Sequence, residues 1–240
     1  MALDISRIHA LCFDIDGTLS DTDDLWMRKI EKLMLPLKPL FPGRQVTPIA
    51  RWLVMSLETP GNFLYHLLDR FSFDDQVARL FSHLARHNIG HKPKSMLIIP
   101  GVKETITKLT GHYPMAIVSA RDAKTTFTFL DQFNLKTHFD CVVSAQTCRY
   151  TKPFPDPILW ASREMKVSPK NVLMIGDTTV DIRAGKAAGA QTVGVLCGFG
   201  REKELRRAGA NLILPSITNL SNILLSGSTG AEISDTQNLL

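Results

Sequence analysis

Two aspartates follow the first apolar run of the chain. Asp14 and Asp16 stand two residues apart, directly after Ile8–Phe13, and Gly17 comes next. Paired carboxylates at such a point can bind a cation, attack an electrophile or transfer a proton. An aspartate next to a glycine is also common in turns that simply end a strand. This segment alone therefore leaves a catalytic and a structural interpretation open.

Polar residues stand in similar places after three later apolar runs. Ser119 ends one of them, Lys152 lies nine residues past another, and Asp177 and Asp181 follow a third. Each has an ordinary alternative: Asp177 could cap a helix, and Asp181 could lie in the first turn of that helix. Because functional residues gather beyond the carboxyl ends of parallel strands, the pattern predicts that these side chains meet there.

Phosphoryl transfer explains why these residue types would meet. A phosphate ester is anionic and repels an attacking carboxylate, so cations must be fixed around the group that moves. Mg²⁺ binds carboxylates, water and the phosphate of the substrate. Asp14 and Asp177 would supply oxygens, Lys152 a positive charge, and Ser119 a hydrogen bond to a phosphoryl oxygen. Asp16 would then act as acid and base.

Alternating strand and helix patterns surround these residues. Buried strands are predicted at residues 8–13, 115–118, 141–143, 172–175, 192–195 and 212–214, and helices at 102–109, 156–165 and 179–188. Strand, helix, strand repetition with short connections is typical of an α/β fold. The sequence thus predicts a Rossmann-like, doubly wound parallel sheet with helices on both faces.

The stretch from 21 to 97 has a different pattern. It lacks buried-strand runs, and its Leu, Met and Phe residues follow helical spacing. Prolines at positions 36, 39, 42, 48 and 60 divide it. We predict a helical cap domain at 21–97, inserted into a core domain formed by 1–20 and 98–226. The Ser-, Gly- and Thr-rich segment 227–240 is predicted to be a disordered tail.

Together, the motifs resemble those of the haloacid dehalogenase-like (HAD) hydrolase superfamily, specifically its phosphoglycolate-phosphatase-like branch with a helical cap of the C1 type. The four motifs occur in order: Asp14-x-Asp16-Gly-Thr-Leu, Ser119, Lys152-Pro153 and Gly176-Asp177-x-x-x-Asp181. With the inserted segment and Leu205-x-x-Ala208-Gly209-Ala210, the resemblance spans most of residues 8 to 215.

The resemblance implies a covalent mechanism. Asp14 attacks phosphorus and becomes an aspartyl phosphate, while Asp16 protonates the leaving oxygen and then activates water. Mg²⁺ is held by Asp14, the backbone carbonyl of Asp16, and Asp177. Asp181 orients Lys152 or a metal-bound water. The presence of Asp16 favours phosphate esters over carbon–halogen or phosphonate bonds, because relatives that cleave those generally lack it.

The phosphate-binding residues include one departure from the family pattern. The resemblance implies that Gly17 and Thr18 lend backbone N–H groups to the phosphate. After Ser119 the chain has Ala120-Arg121, where many relatives place Asn directly after the Ser or Thr. Arg121 could replace that contact with phosphate or carboxylate. A solvated arginine in the first turn of a helix is the alternative.

Other functions are less well supported by the composition. The net charge is +5 over 240 residues, but no long basic block or nucleic-acid motif accompanies it, so we expect neither nucleic-acid binding nor membrane association. The charge suits attraction of a small phosphorylated substrate. Four cysteines without a C-x-x-C pair and the lack of a signal segment predict a reduced, cytoplasmic protein. Both a monomer and a homodimer are compatible with the sequence.

Six residues of the predicted cap were considered as further sites. His83, His87 and His91 have metal-ligand spacing on a helix, but exposed histidines are the simpler interpretation. Arg44, Arg51 and Trp52 are candidates for substrate selection, with surface arginines and a core tryptophan as the alternative.

The best-supported function is a phosphatase of a small phosphorylated metabolite. A phosphomutase of the β-phosphoglucomutase type is the alternative, since the core motifs are shared. A non-catalytic protein on the same fold should lack a site carboxylate, and none is missing.

Overall fold

A six-stranded parallel sheet forms the centre of the structure. The computed structural model describes residues 2–21 and 96–226. The strands are β1 (Ala10–Phe13), β2 (Met115–Val118), β3 (Cys141–Val143), β4 (Val172–Gly176), β5 (Gln191–Val195) and β6 (Leu212–Leu214). The helices are α1 (Val102–Leu109), α2 (Ala123–Gln132), α3 (Asp156–Glu164), α4 (Thr179–Ala187), α5 (Glu202–Ala208) and α6 (Leu220–Ser226), with short 3₁₀ turns at Ile5–Arg7, Lys136–His138, Pro169–Asn171 and Ile217–Asn219.

The strand order, β3-β2-β1-β4-β5-β6, places β1 and β4 at the centre. Phe13 pairs with Ile117 on one side and with Ile175 on the other, and all five strand pairs are parallel. The chain runs outward in one direction through β2 and β3, then returns and runs the other way through β5 and β6. The switch point between β1 and β4 is where sheets of this kind bind ligands.

Burial explains which strands are central. Every residue of β1, β2, β4 and β5 is buried, whereas β3 and β6 are only partly buried. Continuous apolar runs of this kind are typical of parallel strands covered on both faces. The partly exposed strands are the two edges of the sheet.

Helices cover both faces of the sheet. On one face, Ile158 and Ala161 of α3 and Ala184 of α4 pack with Cys12 and Met174 in a single apolar cluster. The right-handed crossover rule places α1 and α2, which connect the other half of the sheet, on the opposite face. The prediction of an α/β, Rossmann-like, doubly wound fold is therefore confirmed.

Two elements differ from the sequence prediction. The first strand begins at Ala10 rather than Ile8, because Ile8 closes the 3₁₀ turn with a hydrogen bond to Ile5. Helix α2 was not predicted, although its N-cap signal is present: the Asp122 side chain accepts a hydrogen bond from the N–H of Thr125.

The chain divides into two compact units, residues 1–20 with 98–240 and residues 21–97. The predicted helical cap and the predicted tail lie outside the described residues and stay predictions. In the described ranges, every helix is too short or too polar to span a bilayer.

Candidate active site

The residues predicted to do chemistry gather at the carboxyl edge of the sheet. Asp14 directly follows β1, Asp177 directly follows β4, and Ser119 directly follows β2. Lys152 arrives from the loop after β3 and contacts Asp14. The backbone N–H of Asp14 still donates to the carbonyl of Ile175, 2.9 Å away, so the first aspartate is held by the sheet itself.

Lys152 bridges two aspartates inside the protein. Its Nζ lies 2.7 Å from Asp14 Oδ1 and 2.6 Å from Asp181 Oδ1. All three residues are buried. Charged groups this deep persist only when they are paired and hydrogen-bonded, so each of the three depends on the others.

Burial and pairing act against each other on these charges. Burial raises the pKa of Asp14 to about 7 against the lowering effect of Lys152, and the nearby Asp181 and Asp16 add to the rise. Burial also opposes the charge of Lys152, but Asp14 and Asp181 outweigh it and hold the pKa of Lys152 above its usual value. Lys152 therefore stays protonated, and additional positive charge beside Asp14 would favour its ionised form.

Asp177 is held by the loop that follows β5. Its Oδ2 accepts a hydrogen bond of 2.8 Å from the backbone N–H of Phe199. Gly17 has a φ of +71°, and a Cβ atom there would collide with the Asp177 carboxylate. A Cβ atom at Gly198 would collide with it as well. The backbone thus closes on Asp177 from two sides where there is no room for a larger residue.

Three carboxylates offer oxygens to a cation at this point. One oxygen each from Asp14, Asp177 and Asp181 lies within 4.8 Å of the other two, and all three residues are buried. Buried anions at this spacing repel one another unless positive charge offsets the repulsion. Lys152 supplies one positive charge. Oxygen donors of this kind fit a hard divalent cation, so the residues suit a divalent metal ion.

Asp181 has a second task that separates it from the other two carboxylates. Its Oδ2 accepts hydrogen bonds from the backbone N–H and the hydroxyl of Thr178, at 3.0 and 2.7 Å, which forms a capping box at the start of α4. Its Oδ1 accepts from Lys152. Both oxygens of Asp181 therefore accept hydrogen bonds from the chain itself, which is compatible with the predicted role of Asp181 in orienting Lys152. That role stays a prediction. Thr178, not Asp177, caps the helix.

Arg121 holds Asp16 with two hydrogen bonds. Arg121 Nε lies 2.7 Å from Asp16 Oδ2, and Nη2 lies 2.5 Å from Asp16 Oδ1. Arg121 precedes the N-cap of α2, and its side chain is only 13% exposed. The alternative of a solvated arginine in the first turn of a helix is therefore wrong. In this structure Arg121 binds the residue predicted to act as acid and base.

Ser119 and Ala120 continue from β2 into the site. Ser119 is buried, its N–H donates to Val143 at 2.9 Å, and its Oγ accepts from the N–H of Arg121 at 3.1 Å. Ala120 is exposed. The hydroxyl of Ser119 keeps its own proton available, so the predicted hydrogen bond to a phosphoryl oxygen is compatible with these contacts and stays a prediction.

The turn after Asp16 is closed by its own backbone hydrogen bonds. The N–H of Gly17 donates to Ser20, 2.9 Å away, and the N–H of Thr18 donates to Ile15, 3.2 Å away. In this structure both groups close the turn on itself, and their predicted contact with a phosphate stays a prediction. They therefore hold the loop in shape. The Thr18 hydroxyl, by contrast, is buried and has no hydrogen-bond partner in the described part of the chain.

The loop Cys197–Gly200 is the part of the site that sequence reasoning missed. The thiol of Cys197 donates to the carbonyl of Gly17 at 3.2 Å, and Phe199 donates to Asp177. The loop thus ties the turn after β1 to the carboxylate after β4. The sequence feature that could have revealed this loop is its pair of glycines, Gly198 and Gly200. They follow a buried strand at the same edge of the sheet as the other motifs.

The six candidate site residues of the predicted cap lie outside the described residues. They are His83, His87, His91, Arg44, Arg51 and Trp52.

Two curated relatives that resemble the chain over nearly its whole length are named as phosphatases. The phosphoglycolate phosphatase of Nitrosococcus oceani is 27% identical and is covered over 98% of its length by 92% of this chain. The pyrophosphatase PpaX of Halalkalibacterium halodurans is also 27% identical, over 97% of its length and 91% of this chain.

Solved structures share the fold. A hydrolase from Pseudomonas syringae has a TM-score of 0.65 at 23% identity, covering 91% of this chain and 98% of that one. A candidate β-phosphoglucomutase from Thermotoga maritima has a TM-score of 0.61 at 20% identity, covering 91% of this chain and 99% of that one. At these identities the likeness concerns the fold alone.

The match to a family profile covers most of the chain. Residues 11–195 match the family described as haloacid dehalogenase-like hydrolase. This range begins inside β1 and ends with β5, so it includes every charged residue of the site described above. The chain therefore belongs to the haloacid dehalogenase-like hydrolase family and is an enzyme of the phosphatase kind.

Proposed function

We propose that the protein is a Mg²⁺-dependent phosphatase that hydrolyses a small phosphorylated metabolite through an aspartyl phosphate at Asp14. The observation that carries this proposal is the buried contact of Lys152 with Asp14, beside the oxygens of Asp177. A carboxylate can approach an anionic phosphate only where positive charge is fixed nearby, and this site provides it.

Two aspartates would hold the metal ion. The carboxylates of Asp14 and Asp177 fit its preference for oxygen ligands, and the backbone carbonyl of Asp16 is the third protein ligand that the family resemblance suggests. When bound, a divalent cation neutralises charge on the phosphoryl oxygens. Oxygen donors suit Mg²⁺, Ca²⁺ and Mn²⁺ better than softer ions, and among these magnesium is the ion that the family resemblance suggests.

The residues of the chain would carry out the reaction in two steps. Asp14 attacks phosphorus, the bond to the leaving oxygen breaks, and Asp16 gives that oxygen a proton. Asp16 then takes a proton from a water molecule, whose oxygen attacks the same phosphorus and releases Asp14. Lys152 fixes Asp14 through both steps, and Ser119 would donate its hydroxyl proton to a phosphoryl oxygen.

The substrate is proposed to be a small anionic metabolite. The net charge of +5 favours encounter with anions. Phosphoglycolate and pyrophosphate are the first candidates to assay, because the curated relatives carry those names. A β-phosphoglucomutase activity has no specific observation in its favour, since the Thermotoga maritima structure shares the fold at 20% identity. Four cysteines without a C-x-x-C pair accord with a reducing, cytoplasmic setting.

The test is phosphate release by the purified full chain from 4-nitrophenyl phosphate and from a panel of phosphorylated metabolites. We expect release with Mg²⁺ and none after EDTA treatment, with recovery when Mg²⁺ is restored. Conversion of a sugar phosphate to its isomer without phosphate release would instead indicate a mutase. Release that is unaffected by EDTA would contradict the proposed metal dependence.

A further inference from the structure

We infer that Arg121 is a positioning residue, which fixes the carboxylate of Asp16 for proton transfer. The inference rests on the function proposed above, because it assumes that Asp16 acts as acid and base. It adds a role for Arg121, which is not one of the residues of the four motifs.

The contact between the two side chains has the geometry of a clamp. Nε and Nη2 of Arg121 donate to different oxygens of Asp16, so both ends of the carboxylate are held at once. A planar guanidinium that binds both oxygens fixes the direction of the carboxylate as well as its distance. A single ammonium group would allow it to rotate.

Arg121 is itself anchored from three sides. Its backbone N–H donates to Ser119 Oγ at 3.1 Å, and its carbonyl accepts from the N–H of Ala145 at 2.9 Å. Its guanidinium lies 5.5 Å from the ring centre of Phe129, a fully buried residue of α2. An arginine fixed in this way can impose its position on Asp16 instead of following it.

Among the residues that the structure describes, two cationic side chains hold different carboxylates of the site. Lys152 contacts Asp14 and Asp181, whereas Arg121 contacts Asp16. The Asp16 side chain is 31% exposed, much more than the Asp14 side chain at 9%. At this exposure packing contributes little to the orientation of the carboxylate, and the two hydrogen bonds from Arg121 restrict it.

A direct contact with substrate is the competing explanation. Arg121 Nη1 is buried and has no hydrogen-bond partner in the described ranges, so one donor is available to an anionic oxygen. The two explanations differ in one measurable respect. Positioning of an acid matters most when the leaving group needs a proton, whereas a direct phosphate contact matters for every leaving group.

The experiment compares kcat/KM of Arg121→Met on two substrates. 4-Nitrophenolate leaves readily without a proton, whereas the alkoxide of glycerol 2-phosphate does not. We expect kcat/KM to fall about 10-fold or more on the alkyl phosphate and no more than about 3-fold on the aryl phosphate. An equal loss on both substrates would overturn the inference in favour of direct contact.

A double-mutant cycle gives a second, independent result. In an Asp16→Asn background, Arg121→Met should cost nothing further on 4-nitrophenyl phosphate, because Arg121 has lost the group through which it acts. A loss that persists in that background contradicts the inference. Arg121→Lys keeps the charge but loses the two-pronged contact, so it should recover only part of the alkyl phosphate activity.

Controls separate this inference from folding and from the proposed function. Arg206 likewise contacts a carboxylate through its Nε, which lies 2.8 Å from Glu202 Oε1, but both side chains are exposed. Arg206→Met should therefore leave the ratio of kcat/KM on the two substrates unaltered. If Arg121→Met does not fold, the NMR signal of the Arg121 Nε–H in the wild-type chain decides: it should shift in Asp16→Asn, and an unchanged signal overturns the contact. If the wild-type chain releases no phosphate, the proposed function fails first, and the inference with it.

Discussion

The ammonium group of Lys152 lies 2.7 Å from Asp14 Oδ1, and both residues are buried. The nucleophile of the proposed reaction is therefore also a structural partner in the core. Substitutions at the site should change stability and activity together, by amounts that depend on which charge loses its partner.

Lys152→Met should destabilise the protein strongly. It leaves Asp14 and Asp181 buried without their shared cation, which costs about 3–5 kcal/mol. For a chain of this size the melting temperature should fall by roughly 10 °C. Lys152→Arg keeps the charge and should lose less stability, although the larger group fits the buried position poorly. Thermal unfolding measures both, and an unchanged melting temperature in Lys152→Met would contradict the buried triad.

Asp14→Asn should abolish turnover while leaving the fold intact. Lys152 retains Asp181 at 2.6 Å, so one of its two anionic partners survives. We expect kcat to fall at least about 10³-fold, because the attacking oxygen is gone. Acid-quenched wild-type enzyme should carry phosphate from labelled substrate, and Asp14→Asn should carry none.

Asp131→Asn is a matched control for that measurement. It makes the same chemical change at an exposed position near the end of α2 and should leave phosphate release unaltered. Turnover that survives in Asp14→Asn would exclude the covalent mechanism.

Mg²⁺ should stabilise the resting protein, and Asp177 should be required for it. Binding to the folded state alone raises stability by about 2.7 kcal/mol when the ion is present at 100 times its dissociation constant. The melting temperature of the EDTA-treated protein should therefore rise as Mg²⁺ is added. Asp177→Asn should remove this response at the same ion concentration. A full response in that variant would place the ion elsewhere.

Gly17→Ala should weaken the metal site by moving Asp177. A Cβ atom at Gly17 would collide with the Asp177 carboxylate and would lie 3.0 Å from the Cα of Gly198. Gly111→Ala is the matched control, because Gly111 has a φ of +81° and no atom within 4 Å of an added Cβ. Both variants should lose about 1 kcal/mol from strain in the left-handed region. Only Gly17→Ala should also lose the rise in melting temperature with Mg²⁺. If Mg²⁺ raised the melting temperature of both variants equally, the collision between residue 17 and Asp177 would be contradicted.

The central strands were predictable because burial on both faces leaves an uninterrupted apolar run. Residues 115–118 and 141–143 were predicted with the bounds that the structure gives. Helix α2 was missed because Thr125, Thr126 and Thr128 have low helix propensity, and its packing on the core compensates for this. Sequence shows propensity and pattern, but it does not show which weak helices the core will stabilise.

The site was predictable where it depends on strand ends and not where it depends on side-chain pairing. Asp14, Asp177 and Ser119 each follow a buried strand, so the topology alone brings them together. Arg121 meets Asp16 across 105 positions of the chain, and only the path of the turn after β2 directs it there. The use of the Gly17 and Thr18 N–H groups inside their own turn was likewise not visible in the motif.

The capping box of α4 gives the enzyme a point of weakness. Asp181 accepts hydrogen bonds from the start of this helix with one oxygen and from Lys152 with the other. The same side chain therefore stabilises the helix and holds a residue of the site. Helix ends open locally far more often than whole domains unfold. When the first turn of α4 frays, Lys152 loses one of its two anionic partners while the sheet stays intact. Loss of activity on heating should then begin before the protein melts.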